Sequence, residues 1–274
     1  MIALGIETAT DRVGVALGES GRGAVAEFSL AGGKRHVETL VPAIEFCCAS
    51  AGLDISQVEV IVADVGPGLF AGLRVGVAAA NALASALGVP AIGLSSLDVL
   101  VAGISSGYPS VMAVVDARRG EVFHASYRPS LLPGLPWEVS KYERTSEPRV
   151  CAPSELLEQL LDSGTEWLLV GDGALRYENQ LAVDPEISVA DRRLASPSPS
   201  VLVEMGLRSV GREAGVSPVA GPLRPIYLRP PDAKIDWNRH RAPGLAFHSR
   251  LDTGVQAARI FEAAGNPSAK GLET

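Results

Sequence analysis

Two acid-bearing turns are the first places where this 274-residue chain offers chemistry. Glu7-Thr8-Ala9-Thr10-Asp11 joins two short apolar stretches, and Asp116-Ala117-Arg118-Arg119-Gly120 joins two more. An acid, hydroxyls and glycine in a strand-to-strand turn can hold a metal-bound phosphate, because glycine lets backbone N–H groups approach the phosphate oxygens. The first turn has Glu7, Thr8 and Thr10, but Ala9 stands where the glycine is wanted. The second has Asp116 and Gly120, but two bulky arginines between them. A third loop, Gly171-Asp172-Gly173-Ala174, follows an apolar run and leads into a helix. Each also reads simply as structure: a tight turn, a hairpin with a basic tip, and a loop that bends on its glycines. The residues alone leave both readings open.

Other chemistries find less support. Gly66-Pro67-Gly68 through Gly72 precedes a helix, yet it lacks the GK[ST] of a phosphate-binding P-loop. His36-Val37-Glu38 is not HExxH, and His124, His240 and His248 are scattered. The three cysteines, Cys47, Cys48 and Cys151, have no CxxC spacing and read as free thiols. No GxSxG is present. Neither a catalytic residue nor a metal ligand is therefore assigned. A net charge of −7 repels phosphate backbones and makes the chain a poor RNA binder by itself. The start, MIALGIETAT, lacks the basic region of a signal peptide, and Val75–Leu94 contains Asn, Ser, Gly and Pro. A cytoplasmic protein without a membrane partner is expected.

The turns need strands to hold them. Ile2–Glu7, Arg12–Leu17 and Val25–Leu30 read as three strands, then Val37–Ala51 as a helix with Leu40, Val41, Ile44, Cys47 and Cys48 near one face. Val58–Ala63 is an apolar, β-branched strand running into a helix at Ala71–Leu87, closed by Gly88 and Pro90. That helix is small or apolar on most of its circumference, so it must be covered on more than one side. Pro90–Gly93 and Ser96–Ala102 continue as strand and helix. The second half starts near Ser105, with a hairpin at Ser110–Asp116 and Glu121–Tyr127 that repeats the first in kind. Trp137–Thr145 reads as a strand, Pro153–Ser163 as a helix, Trp167–Val170 as a strand, Ser198–Gly211 as a helix and Pro222–Arg229 as extended. A short helix at Gly254–Ala264 is suggested. Three strands followed by helix–strand–helix units differ from a βαβ start and indicate a two-lobed α/β fold.

The stretch GPGLFAGLRVGVAAANALASALGVPAIGLSSLDVL, with IETATDRVGVAL, VVDARRGEVFHASY and PIYLRPPDA, resembles the TsaB (YeaZ) family of tRNA threonylcarbamoyladenosine biosynthesis proteins. The resemblance covers most of residues 1–233. That family usually reads close to GPGSFTGLRIG; here Leu69 and Ala71 replace its Ser and Thr, and Glu7 stands where Asp is common.

The resemblance implies an actin-like ATPase (ASKHA, RNase H-like) two-lobed fold in degenerate form. Residues 1–104 would form the first lobe with the dimerisation helices and 105–195 a smaller second lobe. Residues 196–233 would return to the first lobe, and 234–274 would form a mobile tail beyond the usual family end. It further implies a non-catalytic subunit that pairs with TsaD, with the ATPase TsaE joining. tRNA would be contacted only through the complex, and a homodimer would form when the chain is alone. No cofactor of its own is expected, ATP or ADP entering only in the complex. Contact candidates are Leu40, Ile44, Gly72, Arg74, Val75, Gly76, Ala79 and Leu83. Glu7, Thr8, Thr10, Asp116, Gly120, Gly171 and Gly173 would be a vestigial nucleotide site. The competing functions are a small-molecule kinase or ATPase using Glu7, Asp116 and Gly171–Ala174, and a glycoprotease-type peptidase.

Overall fold

β1 (Ile2–Glu7), β2 (Arg12–Glu19) and β3 (Gly23–Ala31) form an antiparallel meander. α1 (His36–Ala51) leads to β4 (Val60–Gly66), and α2 (Phe70–Leu87) to β5 (Ala91–Ser95). β4 lies parallel to β1 and β5 parallel to β4, giving the strand order β3-β2-β1-β4-β5. α3 (Ser96–Ala102) then crosses to the second sheet. The chain is described here by a computed structural model covering residues 1–32, 35–104, 107–130, 141–210 and 221–229, all within the unit Met1–Pro230. The start of the second half at 105–106, the first residues of the strand expected at 137–145, the last residue of the helix expected at 198–211, the suggested helix at 254–264 and the tail lie outside the described residues.

The second lobe repeats the plan. β6 (Val111–Arg118) and β7 (Glu121–Pro129) are antiparallel, and β8 (Tyr142–Arg144) and β9 (Arg149–Cys151) both pair with β7. After α4 (Pro153–Asp162), β10 (Trp167–Val170) lies parallel to β6. Short helices α5 (Asp172–Arg176) and α6 (Glu178–Leu181) lead to β11 (Ile187–Val189), parallel to β10. The order β11-β10-β6-β7-β8 therefore mirrors β5-β4-β1-β2-β3. This duplicated arrangement is the strand plan of an actin-like fold. β9, β11, α5 and α6 are too short for periodicity to mark them.

α7 (Pro199–Val210) packs back on the first sheet. Leu202 and Val203 meet Ala3, Ala16, Val60 and Val62, while α1 and α2 cover the opposite face with Leu40, Ile44, Cys47, Val77 and Ala80 against Leu4, Ile6 and Ile61. Both faces of the first sheet are thus closed. The closing segment is extended without joining a sheet: Ile226 donates to the Val65 carbonyl at 2.7 Å, and Asn81 exchanges side-chain hydrogen bonds with the Leu223 backbone at 2.8 and 3.0 Å.

Candidate functional site

The first turn is spent on its own lobe. Glu7, Thr8, Ala9 and Thr10 are all essentially inaccessible. Glu7 Oε1 accepts from the Ala9 N–H at 2.8 Å, and the Thr8 hydroxyl donates to the Gly72 carbonyl at 2.9 Å. Leu69 N–H donates to the Ala9 carbonyl at 2.7 Å, and His36 Nε2 lies 3.0 Å from the Thr10 carbonyl. The N-terminal ends of α1 and α2 therefore sit on the turn. A Cβ at Gly72 would overlap the Thr8 carbonyl oxygen, and one at Gly76 the Thr8 hydroxyl. These glycines serve the close approach of helix to turn.

The second turn is neutralised by the chain itself. Asp116 is buried; its Oδ1 accepts from the Arg118 N–H at 2.9 Å and its Oδ2 from Arg118 Nη1 at 3.0 Å. Arg176 Nε lies 3.6 Å from the same Oδ2. Asp172 Oδ1 accepts from the Asp116 N–H at 2.9 Å, and burial followed by the Asp116 charge pushes its carboxyl up to about 6. Gly171, at φ 114°, and Gly173 press on the backbone of Val114 and Val115, so the space of their absent side chains is filled by β6. Gly120, at φ 78°, completes the turn with open space around it.

Asp64 is an acid that escaped the sequence reading, although a carboxylate inside Val58–Gly66 was the available signal. Ile6 pairs with Ala63 in parallel register, so Glu7 and Asp64 leave neighbouring strands on the same face. Asp64 Oδ1 accepts from the Ser96 hydroxyl at 2.6 Å and the Gly66 N–H at 2.8 Å. Glu7 Oε2 and Asp64 Oδ2 have no hydrogen-bond partner among the described residues. Burial, then the Asp64 charge, hold Glu7 well above the usual carboxylate range, and burial pushes Asp64 up to about 7. Burial of both carboxyls favours their protonated forms. Sealed from solvent, the pair has no access to a substrate. Cys47 is likewise buried, its thiol pushed up to about 11 by desolvation, and is inert.

The proposed contact residues divide in two. Leu40, Ile44, Gly72 and Gly76 are buried within the first lobe, against the sheet and the first turn. The reason is that α1 and α2 turn their Leu, Ile and Gly positions inward together. Arg74 is exposed, and Val75, Ala79 and Leu83 are half-buried. The outward stripe of α2 is Ala71, Ala78 and Ala82, with the half-buried Val75 along it, at i, i+7, i+11 and i+4. Beside it, α1 presents Val37 and Val41, 74% and 59% exposed. Phe70 stacks on Tyr227 with centroids 5.2 Å apart, and Arg74 lies 5.3 Å over the Phe70 ring. By length and composition α2 would also cross a membrane, but here it is the crossover between β4 and β5 with one face carried by the sheet. Among the described residues no group of three or more His, Cys, Asp or Glu is placed to hold a metal.

Residues 29–131 match the family described as TsaD, tRNA N6-adenosine threonylcarbamoyltransferase. The chain is 33% identical to an uncharacterized protein of Mycobacterium leprae over 85% of its length, and spans 56% of that protein. An uncharacterized protein of Mycobacterium tuberculosis is 32% identical, with 73% of this chain and 78% of the relative covered. The tRNA threonylcarbamoyladenosine biosynthesis protein TsaB of Escherichia coli is 28% identical over 84% of this chain and 95% of its own. A crystal structure from Pseudomonas aeruginosa, described as similar to peptidase YEAZ, superposes with a TM-score of 0.67 at 25% identity, covering 83% of this chain and 99% of that one. The chain belongs to the TsaB/YeaZ family. TsaB/YeaZ membership accounts for the actin-like architecture and for the Gly66–Gly72 signature, whose glycines serve the contact between α2 and the first turn.

Proposed function

We propose that this chain is a non-catalytic partner subunit in the synthesis of N6-threonylcarbamoyladenosine on tRNA. It pairs through α1 and α2 with the TsaD-type subunit of the same organism, and TsaE acts on the assembled complex. The observation that carries the reading is the outward stripe Ala71, Ala78 and Ala82, with the half-buried Val75 along it, beside Val37 and Val41: two neighbouring helices, already packed on their own sheet, still show apolar surface. Small residues there let a partner helix approach closely. The relatives named for threonylcarbamoyladenosine biosynthesis support the pathway. The closed first turn and the arginine-neutralised Asp116 support an accessory role, with no nucleotide held by the chain alone. The same face would make a homodimer when the partner is absent. The setting is cytoplasmic, and tRNA is reached through the complex.

Size-exclusion chromatography with light scattering, on the chain alone and mixed with its TsaD-type partner, tests this. The mixture is expected to run as a heterodimer. Ala78→Glu is expected to abolish it while circular dichroism and Tm stay unchanged, because the position faces solvent in the isolated chain. A heterodimer that survives Ala78→Glu moves the interface off α2. If the wild-type chain does not associate, with or without nucleotide, the partner reading fails.

A further inference from the structure

Arg118 sits at the tip of the β6–β7 hairpin with φ 61°, followed by Arg119 at 57°. Consecutive residues in this left-handed region normally belong to Asn-Gly or a similar pair, and bulky side chains take it at a conformational cost. What the position delivers is reach. Arg118 Nη2 donates to Asp11 Oδ1 and Oδ2 at 2.9 and 2.8 Å, while Nη1 donates to Asp116 Oδ2 at 3.0 Å. Asp11 belongs to the turn of the first lobe and Asp116 to the turn of the second. One guanidinium therefore spans the two hairpin turns, in the forked geometry that arginine provides and lysine lacks. The same hairpin is tied a second time: Arg229 pairs with Glu121 and donates to the Ala117 carbonyl at 3.3 Å, from a segment anchored on β4 and α2. At the other side of the lobe junction, the Tyr127 hydroxyl donates to Asp98 of α3 at 2.8 Å.

We propose that Arg118 is an interlobe latch, a cation carried by the chain that bridges Asp11 and Asp116 and holds the two lobes closed where a metal-bound phosphate would otherwise engage the acids. The latch is independent of the partner reading. It explains why Arg118 occupies a left-handed turn position.

The test is a distance measured across the lobes of the full chain. Ser20→Cys on the β2–β3 turn and Glu158→Cys on α4 are both exposed and carry spin labels, while Cys47, Cys48 and Cys151 are buried. Pulsed electron–electron resonance is expected to give one narrow distance. Arg118→Asn keeps a residue suited to the left-handed turn and removes the cation; it is expected to lengthen and broaden the distribution with circular dichroism unchanged. Asp11→Asn, on the other lobe, is expected to do the same without touching the hairpin. A distribution that stays narrow and unshifted in either folded variant overturns the latch.

Discussion

At the scale of single residues, His124 makes the sharpest prediction. It lies on β7, 3% exposed, with neither ring nitrogen hydrogen-bonded among the described residues. Desolvation first, and then the Arg149 charge, push its imidazole down to about 4. An unfolded histidine protonates near ~6.5. The unfolded state thus binds the proton first as the pH falls, and stability that is complete above ~6.5 is lost progressively through about 4. The ceiling on that loss is roughly 3 kcal/mol. His124→Phe is expected to flatten the dependence of the urea midpoint on pH across this window. A midpoint that falls as steeply in the variant would show that other groups drive acid unfolding. Glu7 and Asp64 titrate with the opposite sign, since burial raises both: their contribution is complete at low pH, and that of Asp64 is lost as the pH rises through about 7.

At the scale of the element, α2 shows how one helix can serve two surfaces. Its period places Leu73, Gly76, Val77, Ala80 and Ala84 inward and Ala71, Ala78 and Ala82 outward. Gly72→Ala and Gly76→Ala are expected to destabilise by roughly 2–3 kcal/mol each, because the new methyl collides with the Thr8 carbonyl or hydroxyl. Chemical denaturation of the isolated chain measures this. For the same reason a large residue at Gly76 tests folding rather than partner binding. Ala78→Glu is expected to stay within about 0.5 kcal/mol of wild type. The long helices and the buried strands were legible in the chain because their apolar periods are extended. The short β9 and β11 were not, since three residues carry too little pattern to separate strand from loop.

At the scale of the whole molecule, the late segments bind the parts together. α7 covers the face of β1, β2 and β4 that α1 and α2 leave open. The 221–229 segment then runs from α2, through Asn81 and Leu223, past Val65 to Glu121 of the second lobe. Asn81→Ala is expected to cost about 1–2 kcal/mol, because it leaves the Leu223 N–H and carbonyl unpaired. Limited proteolysis is expected to cut this segment faster in the variant. Unchanged cleavage would mean that Ile226 and Arg229 suffice to hold it.

The sequence by itself determined the duplicated hairpins, the apolar crossover helix and the family, because periodicity and motif are local properties of the chain. It also displayed the defects of the first turn, with Ala9 in place of glycine. Only the tertiary structure decided which apolar residues face inward, since Leu40 and Val41 are neighbours in sequence but the first is buried and the second exposed on α1. It alone joined Asp11 to Arg118, 107 residues apart, and set Glu7 and Asp64 at the ends of neighbouring strands, a consequence of sheet register that no local pattern records.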